Sequence, residues 1–379
     1  MPSQNDLPAM GQRRAVIIGI SGCSSSGKTT LARLLRDIFP ETFILHEDDF
    51  YKPESELPIK DGFADWDCPE AISIPDLELA LSHIRATGTF PVSSSVPNLR
   101  RLSHRSDHGC VPVPLFSLSP PLLNPSTSPL SLPSPFSSSS SFFSSSPQSS
   151  LPSSPSTRSS LTTTTTLRGP PQQPNVTSIE DLNTVGACPA TPAQISACAA
   201  KVRDWLSPGQ PGSRIFPAHN PAIGGGNDSN DNSDHRQPGS QLRLCLVDGF
   251  LLYAPPALAR VMTLLDVKLF LRVSRARAVG RRQARDGYVT LDGFWKDPPG
   301  YVEKVVWPNY ADAHRWLFEG GRVDGGRLDA EVLRREGIEA LDGAEEGAED
   351  AEFGRVLEWA VDAVMRGLER VVLGEGAER

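Results

Sequence analysis

The chain has 379 residues and a formal net charge of -8 at pH 7. This acidic balance gives no electrostatic reason to expect a nucleic acid or an anionic membrane surface as a partner, and nothing in the sequence indicates a protein partner. Residues 1–14 lack the apolar core of a signal peptide and no apolar run reaches membrane-spanning length. We therefore expect a cytoplasmic protein, with the nucleus as an additional location.

The composition changes sharply near residue 96. Serine, proline and threonine dominate residues 96–177, which bury too little apolar surface to offset the entropy cost of ordering them. Two origins stay open for residues 96–174, a genuine disordered insert and an intron translated through a faulty gene model, and sequencing the transcript would distinguish them. The predicted organisation is a disordered N-terminus at 1–12, a first core part at 13–95, the insert at 96–177, and a second core part at 178–379 with a disordered loop at 207–240, an arginine-rich lid near 275–300 and a C-terminal helix at 353–373.

A phosphate-binding loop, G-x-x-x-x-G-K-T, occupies residues 22–29. It follows an apolar, β-branched run at 15–20 and precedes a helical apolar pattern at 31–38, which is the strand and helix context that such a loop needs. Its backbone N–H groups and the helix N-terminus can surround phosphate oxygens. We expect a bound nucleoside triphosphate, with Lys28 on the β- and γ-phosphates and the Thr29 hydroxyl on Mg²⁺; an incidental Gly/Ser-rich turn is the alternative.

Acidic residues follow two of the predicted strands. Asp48 and Asp49 come directly after the run 42–46, and Asp248 follows the buried run 242–247. Because the ligand crevice of an open parallel sheet lies at the carboxyl ends of its strands, the Asp48-Asp49 pair should lie beside the phosphate loop. A helix cap or a solvated turn is the alternative there. Asp248 takes the position of the second acid of P-loop proteins, which holds Mg²⁺, usually through water.

The loop at 61–69 combines aromatic and acidic residues, including Trp66 and Asp67. An aromatic face beside a carboxylate suits a flat base and the diol of its ribose. A plain loop that Trp66 packs into place is the rival interpretation.

Arginines are concentrated after the predicted strand at 267–273. They are Arg275, Arg277, Arg281, Arg282 and Arg285, and Gly287 and Tyr288 follow them. A solvated helix face is one interpretation. A lid that brings guanidinium groups over the transferring phosphoryl group is favoured here, because the phosphate loop already implies a polyphosphate.

Strands and helices alternate along the core, which predicts an α/β fold. We expect a P-loop NTPase of three α/β/α layers around a mostly parallel sheet, with an edge strand at 338–341 and an amphipathic closing helix from residue 353.

These motifs together resemble the nicotinamide riboside kinases, particularly their fungal form, within the uridine kinase-like P-loop kinases. The resemblance covers roughly residues 13–92, 178–186 and 242–373, and the Asp-Asp-Phe-Tyr-Lys-Pro and Gly-Tyr-Val-Thr-Leu blocks separate it from the similar uridine-cytidine kinases. It rests on residues 22–30, 46–54, 65–71, 248–252, 281–288 and 298–310.

The resemblance implies transfer of the ATP γ-phosphoryl group to the 5′-hydroxyl of nicotinamide riboside, and also of nicotinic acid riboside, for NAD biosynthesis. It implies that Asp48 is the catalytic base and that Lys28 is catalytic as well. ATP would contact Gly22, Cys23, Ser24, Ser25, Ser26, Gly27, Lys28, Thr29, Thr30, Arg281 and Arg285. The riboside would contact Asp48, Asp49, Phe50, Tyr51, Trp66, Asp67, Arg282, Gly287 and Tyr288. Mg²⁺ would be held by Thr29, Asp48 and Asp248, and Leu341, Asp342 and Gly343 would lie near the adenine.

This chain departs from the family pattern in two places. The vertebrate form has glutamate where this chain has Asp248, one methylene shorter, which leaves Asp248 a water-mediated metal role. Residues 96–174 have no counterpart in the family. The alternatives to a riboside kinase are a uridine/cytidine kinase-like enzyme, a nucleotide-binding module without catalysis, and a product inactivated by the insertion; no Asn-Lys-x-Asp motif supports a guanine-nucleotide switch.

Overall fold

In the computed structural model of the chain, the described residues are 14–91, 187–217, 242–285, 287–290, 293–341 and 348–374. They all belong to the first of two compact units, which comprises Met1–His108 and Thr177–Arg379. The predicted N-terminal segment 1–12, the insert 96–177 and residues 218–240 of the predicted loop lie outside the described residues.

A five-stranded parallel sheet with the order β2-β5-β1-β6-β9 forms the centre of the fold. The strands in chain order are β1 (Ala15–Gly22), β2 (Thr42–His46), β3 (Ile59–Lys60), β4 (Phe63–Ala64), β5 (Arg243–Gly249), β6 (Val267–Leu271), β7 (Tyr288–Thr290), β8 (Gly293–Trp295) and β9 (Ile338–Ala340). Strand β1 is buried along its whole length, as its β-branched composition predicts for a strand covered on both faces. The pairs β3-β4 and β7-β8 are separate antiparallel hairpins.

Helices cover both faces of the sheet. They are α1 (Lys28–Ile38), α2 (Ile74–Thr87), α3 (Pro192–Trp205), α4 (Pro211–Ile215), α5 (Ala259–Leu264), α6 (Arg275–Gln283), α7 (Trp307–His314), α8 (Ala330–Glu336) and α9 (Phe353–Leu368). This arrangement confirms the predicted α/β class, with β9 at the sheet edge. No helix in the described part of the chain is long and apolar enough to cross a membrane.

The alternation of β1 side chains divides the core into two halves. Ile17 packs in the half that also contains Leu81 of α2 and Val261 of α5. Ile18 packs in the other half, with Leu35 of α1 and Val361 of α9. Successive strand residues point to opposite faces, so one continuous apolar strand supplies both halves of the core.

The start of the predicted disordered loop 207–240 is ordered instead. Helix α4 begins with Pro211 at its first turn, and Phe216 directly after it is fully buried against Trp205 of α3, with ring centroids 6.4 Å apart. The polar bias that suggested disorder begins only at residue 224. Burial of Ile215 and Phe216 supplies the free energy that orders this short helix.

His314 at the end of α7 should make the stability of the fold depend on pH. It is fully buried, its ring packs against Tyr310 and Phe270, and Nδ1 donates to the Tyr310 carbonyl at 2.9 Å. Burial lowers the pKa of His314 to about 4. Between about pH 6.5 and pH 4 the unfolded chain therefore binds a proton that the folded chain excludes.

We expect the free energy of unfolding to fall by about 2 kcal/mol between pH 7 and pH 5 through this residue alone. The measurement is urea denaturation at several pH values for the unaltered chain and for His314→Asn. Carboxylates and other histidines titrate in both proteins, so the difference between their pH slopes isolates His314. Equal slopes would show that His314 binds its proton as readily in the folded state as in the unfolded chain.

Candidate active site

The phosphate-binding loop joins β1 to α1 at the carboxyl edge of the sheet. Gly27, the N-cap of α1, has φ 100°, and a Cβ atom there would lie 2.8 Å from the Phe353 ring, so both the backbone conformation and the space require glycine. The Ser26 N–H donates to the Cys23 carbonyl at 3.1 Å, and Lys28 Nζ donates to the same carbonyl at 3.0 Å. The loop therefore curves over the helix N-terminus, where N–H groups favour an anion.

Two oxygen-bearing side chains meet beside the loop. The Thr29 hydroxyl donates to Asp248 Oδ2 at 2.6 Å. Asp248 lies near the end of β5, which pairs directly with β1, and so the sheet register brings a residue at position 248 to the phosphate loop. Hydroxyl and carboxylate oxygens are the ligands that Mg²⁺ prefers in proteins.

His46 at the end of β2 is a further member of the site to which the sequence assigned no role. It lies opposite Asp248 in the parallel β2-β5 pair, and its Nδ1 is 2.5 Å from Asp248 Oδ1. Burial by itself would raise the pKa of Asp248, but the charge and hydrogen bond of His46, the hydrogen bond of Thr29 and the charge of Lys28 outweigh it and lower that pKa. Asp248 is consequently held as a carboxylate.

Asp48 lies on the 3₁₀ turn Glu47–Phe50, directly after β2. Its side chain reaches solvent at the mouth of the crevice, yet the protein atoms around it exclude enough water to raise its pKa. The negative charge of Asp248 raises that pKa further, while His46 and Lys28 oppose the rise. Burial also lowers the pKa of Lys28, against the nearby charge of Asp248. Lys28 and Asp248 thus lie at the phosphate loop, and Asp48 follows β2 at the same edge of the sheet.

Glu47 connects the end of β2 to the turn after β5. It is 1 % exposed, and its Oε2 accepts hydrogen bonds from the N–H groups of Phe250 at 2.6 Å and Leu251 at 3.0 Å. Burial raises the pKa of Glu47 to about 7, although the Leu251 N–H bond opposes the rise. The sequence places Glu47 in a motif, but its work in fixing the strand ends depends on contacts with residues about 200 positions away.

Replacing Glu47 with alanine should destabilise the fold by roughly 2–4 kcal/mol, because two buried backbone N–H groups lose their acceptor. Glu47→Gln retains an acceptor of the same size and should change the free energy of unfolding by less than about 1 kcal/mol. Urea denaturation of the two variants at pH 7.5 measures the difference. Equal destabilisation would mean that the charge of Glu47, rather than its acceptor oxygen, holds the turn.

The predicted aromatic and acidic loop forms the opposite wall of the crevice. Asp67 is 4 % exposed and accepts hydrogen bonds from Tyr301 Oη at 2.9 Å and from Arg282 Nη1 at 3.1 Å. Burial raises the pKa of Asp67, and the charge of Arg282 together with the Tyr301 bond opposes this. Tyr301 Oη also accepts from the Trp66 N–H at 3.1 Å, so one buried phenol holds both residues of the loop.

Asn309 of α7 supports the same loop through hydrogen bonds to Asp65. Its Nδ2 donates to both carboxylate oxygens of Asp65, at 2.8 and 2.9 Å, and Lys60 donates to its Oδ1. Asp65 Oδ1 in turn accepts from the Asp67 N–H at 3.0 Å. The backbone at Asp67 is therefore tied, through Asp65, to a helix residue 244 positions beyond Asp65, a connection that no local sequence pattern could predict.

Trp66 lies in a cluster of aromatic rings. Its ring is 5.5 Å from that of Tyr51 in an edge-to-face contact and 5.9 Å from that of Trp295. Trp66 and Tyr51 are only partly buried, whereas Phe50 is 2 % exposed and packs in the core. Trp295 carried no role in the sequence analysis, since a single tryptophan in a short hairpin makes no pattern.

The arginines of α6 divide into two groups. Arg281 Nη1 donates to the Ser25 carbonyl at 3.2 Å, and Arg282 Nη1 donates to Ser24 Oγ at 3.0 Å, so both reach the phosphate loop. Arg275 and Arg277 point elsewhere: Arg275 lies over the Trp307 ring and Arg277 binds the Asp350 carbonyl. The positions of Arg275 and Arg277 therefore agree with a solvated helix face. Those of Arg281 and Arg282 agree with a lid over the phosphate loop.

The remaining predicted contacts are placed as follows. Asp49 is half-buried on the same turn as Asp48, and Arg285 is half-buried after α6. Gly287, directly before β7, has φ 136°. Tyr288 begins β7, but its side chain, like Asp342 and Gly343, lies outside the described residues. Thr30 is half-buried in the first turn of α1.

A cavity of about 310 Å³ adjoins the phosphate loop at Ser26. It lies between the loop and the start of α9. Leu341, which the family resemblance places near the adenine, lines it. The lining residues include Ser26, Leu271, Arg272, Leu341, Phe353 and Val356.

Comparison with known proteins identifies relatives of the chain, although no protein-family model matches it. It is 27% identical over 320 residues to nicotinamide riboside kinase of Schizosaccharomyces pombe, covering 84% of this chain and 88% of the relative. The chain is similar over most of its length to fungal nicotinamide riboside kinases. The Saccharomyces cerevisiae relative is 24% identical over 318 residues, covering 83% of this chain and 84% of that protein. Human nicotinamide riboside kinase 1 is 44% identical over a shorter stretch of 70 residues, 18% of this chain and 35% of the human protein.

Proposed function

We propose that the chain is an ATP-dependent nicotinamide riboside kinase that phosphorylates the 5′-hydroxyl of the riboside to give nicotinamide mononucleotide for NAD biosynthesis. The observation that carries this proposal is the position of Arg282 Nη1, 3.0 Å from Ser24 in the phosphate loop and 3.1 Å from Asp67. A carboxylate suited to a ribose diol thus lies next to the triphosphate-binding loop, as transfer of a phosphoryl group to a ribose hydroxyl requires. The relatives named nicotinamide riboside kinase support the same substrate.

In the proposed reaction Asp48 accepts the proton of the attacking 5′-hydroxyl. It follows β2 at the sheet edge where Lys28 also lies, and its raised pKa brings it closer to that of an effective general base. Lys28 and Arg281 bind the phosphates, and their charges oppose the negative charge on the transferring group. Asp67 and Arg282 bind the ribose, and Trp66 and Tyr51 present aromatic faces to the base.

The residues around Thr29 fit a magnesium ion. Thr29 and Asp248 bring two oxygens to within 2.6 Å of each other, and Asp48 shares their crevice. Mg²⁺ retains water and binds substrate phosphates, so it needs few protein ligands. The described residues contain no group of three or more His, Cys, Asp or Glu side chains able to hold a metal. When bound, the ion would neutralise charge on the phosphates.

The test of this function is ADP formation with ATP, Mg²⁺ and each member of a riboside panel. We expect turnover with nicotinamide riboside and nicotinic acid riboside, and much less with uridine and cytidine. Preference for uridine or cytidine would instead assign the chain to the pyrimidine nucleoside kinases. Nucleotide binding without turnover of any riboside would identify a binding module.

Replacing Asp67 with alanine should raise the KM for the riboside far more than it lowers kcat, since the ribose bond exists in both ground and transition states. The variant should also lose discrimination against the 2′-deoxyriboside. A site built to bind a hydroxyl rejects its absence only while its own buried acceptor would be left unpaired. Steady-state kinetics of parent and variant with both substrates measure this, and undiminished rejection of the deoxy compound would contradict the role given to Asp67.

A further inference from the structure

Asp297, which follows β8, holds one edge of the Arg282 guanidinium. Arg282 Nε donates to Asp297 Oδ2 at 2.7 Å and Nη2 donates to Oδ1 at 3.0 Å. Two parallel bonds between a planar fork and a carboxylate fix both the position and the plane of the guanidinium. The Trp295 indole N–H donates to Asp297 Oδ1 at 3.1 Å, so the carboxylate itself is held in place.

The geometry of the guanidinium then determines what its other edge contacts. Its N–H groups lie in one rigid plane, so fixing Nε and Nη2 also fixes the direction of Nη1. Nη1 is the atom that reaches Ser24 Oγ and Asp67 Oδ1. Without Asp297, rotation of the long arginine side chain would let Nη1 leave this position.

Burial makes the arrangement sensitive to the loss of any member. The side chains of Arg282, Asp67 and Asp297 are 9 %, 5 % and 14 % exposed, and one cation serves both carboxylates. If Arg282 turned wholly toward one carboxylate, the other would stay buried without this counter-charge, which is costly. Two carboxylates on opposite sides therefore keep the guanidinium between them.

We propose that Asp297 is a positioning residue for riboside binding, acting through Arg282 by directing Nη1 to Asp67 and the phosphate loop. This inference rests on the proposed function, because it assigns the Asp67-Arg282 pair to the riboside. The competing explanation is that Asp297 only attaches the β7-β8 hairpin to α6, in which case its loss would lower stability without a selective effect on the riboside.

The test compares Asp297→Ala, the isosteric Asp297→Asn, Arg282→Ala and the double variant Arg282→Ala/Asp297→Ala. Asp297→Ala and Asp297→Asn should each raise the riboside KM by about 10-fold or more, and much more than they raise the KM for ATP. In the double variant the riboside KM should equal that of Arg282→Ala alone, because a residue that acts through Arg282 has nothing left to position. Asp324→Asn, which removes the charge of an exposed aspartate, is the matched control.

Additive effects of the two substitutions on the riboside KM, or an unchanged KM in Asp297→Asn, would overturn the proposal. Urea denaturation of each variant separates a loss of stability from the kinetic effect, and Asp297→Asn keeps the test available if Asp297→Ala does not fold. The KM is measured for whichever riboside of the panel the unaltered chain phosphorylates. If that riboside is uridine or cytidine, the proposed function is refuted, but the role of Asp297 can still be tested with it. A chain that phosphorylates none of them contradicts both.

Discussion

Replacing Lys28 with alanine is expected to lower kcat/KM for phosphoryl transfer by about 10³-fold or more. Lys28 begins α1, and its Nζ bends back over the phosphate loop to the Cys23 carbonyl at 3.0 Å, where the β- and γ-phosphates would lie. Burial lowers the pKa of Lys28, because the surrounding protein displaces water from its ammonium group. A poorly hydrated cation interacts strongly with phosphate charge, and no uncharged side chain replaces it. Initial rates of ADP formation at saturating riboside and varied ATP give kcat/KM for ATP and so measure the loss.

The Lys28→Ala variant should nevertheless fold, with a free energy of unfolding within about 1 kcal/mol of the parent, because alanine is favourable in a helix and the lysine is only half-buried. Lys201→Ala is the control, since Lys201 lies on α3 in a surface ion pair with Asp362. Turnover of a folded Lys28→Ala protein at the parental rate would refute the assignment of this loop to the triphosphate.

Replacing Asp48 with asparagine should lower kcat by about 10²–10⁴-fold, the usual contribution of a general base. The riboside KM should change much less, because the ribose contacts at Asp67 and Arg282 are untouched. Asparagine preserves the size of the side chain on the 3₁₀ turn but cannot accept the proton of the 5′-hydroxyl. Steady-state kinetics with nicotinamide riboside and ATP give both parameters.

Asp37→Asn provides the matched control for Asp48→Asn. Asp37 lies on α1 with its side chain 60% exposed. The Asp37→Asn substitution therefore makes the same change of charge outside the crevice. A large rise in the riboside KM with little change in kcat for Asp48→Asn would show that Asp48 binds the substrate and is not the base. The contrast with Asp67→Ala is therefore informative, because the two variants should affect opposite kinetic parameters.

The carboxyl-edge position of the proposed chemistry could be predicted because it follows from contiguous residues. The phosphate loop, the strand before it and the helix after it are written in one stretch of chain, and each has its own local pattern. Asp48 follows β2 and Asp248 lies near the end of β5, and parallel strands align their carboxyl ends at one edge whatever their separation in sequence. The roles assigned to these residues stay predictions for the experiments above.

The support of the site could not be predicted in the same way. Tyr301 and Asp67 are 234 residues apart, and Asn309 and Asp65 are 244 residues apart. No local sequence pattern indicates that Asp297 bonds Arg282 or that Trp295 packs against Trp66. Such contacts depend on how helices and hairpins cross the sheet, which side-chain packing over the whole core decides.

The sequence by itself therefore determined the fold class, the phosphate loop and the edge of the sheet at which the chemistry is expected, because periodicity and loop motifs act over a few residues. Only the tertiary structure decided that α4 is ordered, that Arg282 joins Asp67 to Ser24 of the phosphate loop, and that Asp297 holds Arg282. Each of these depends on the direction of a side chain relative to a distant element. That direction is fixed by close packing of the whole core, which local sequence does not encode.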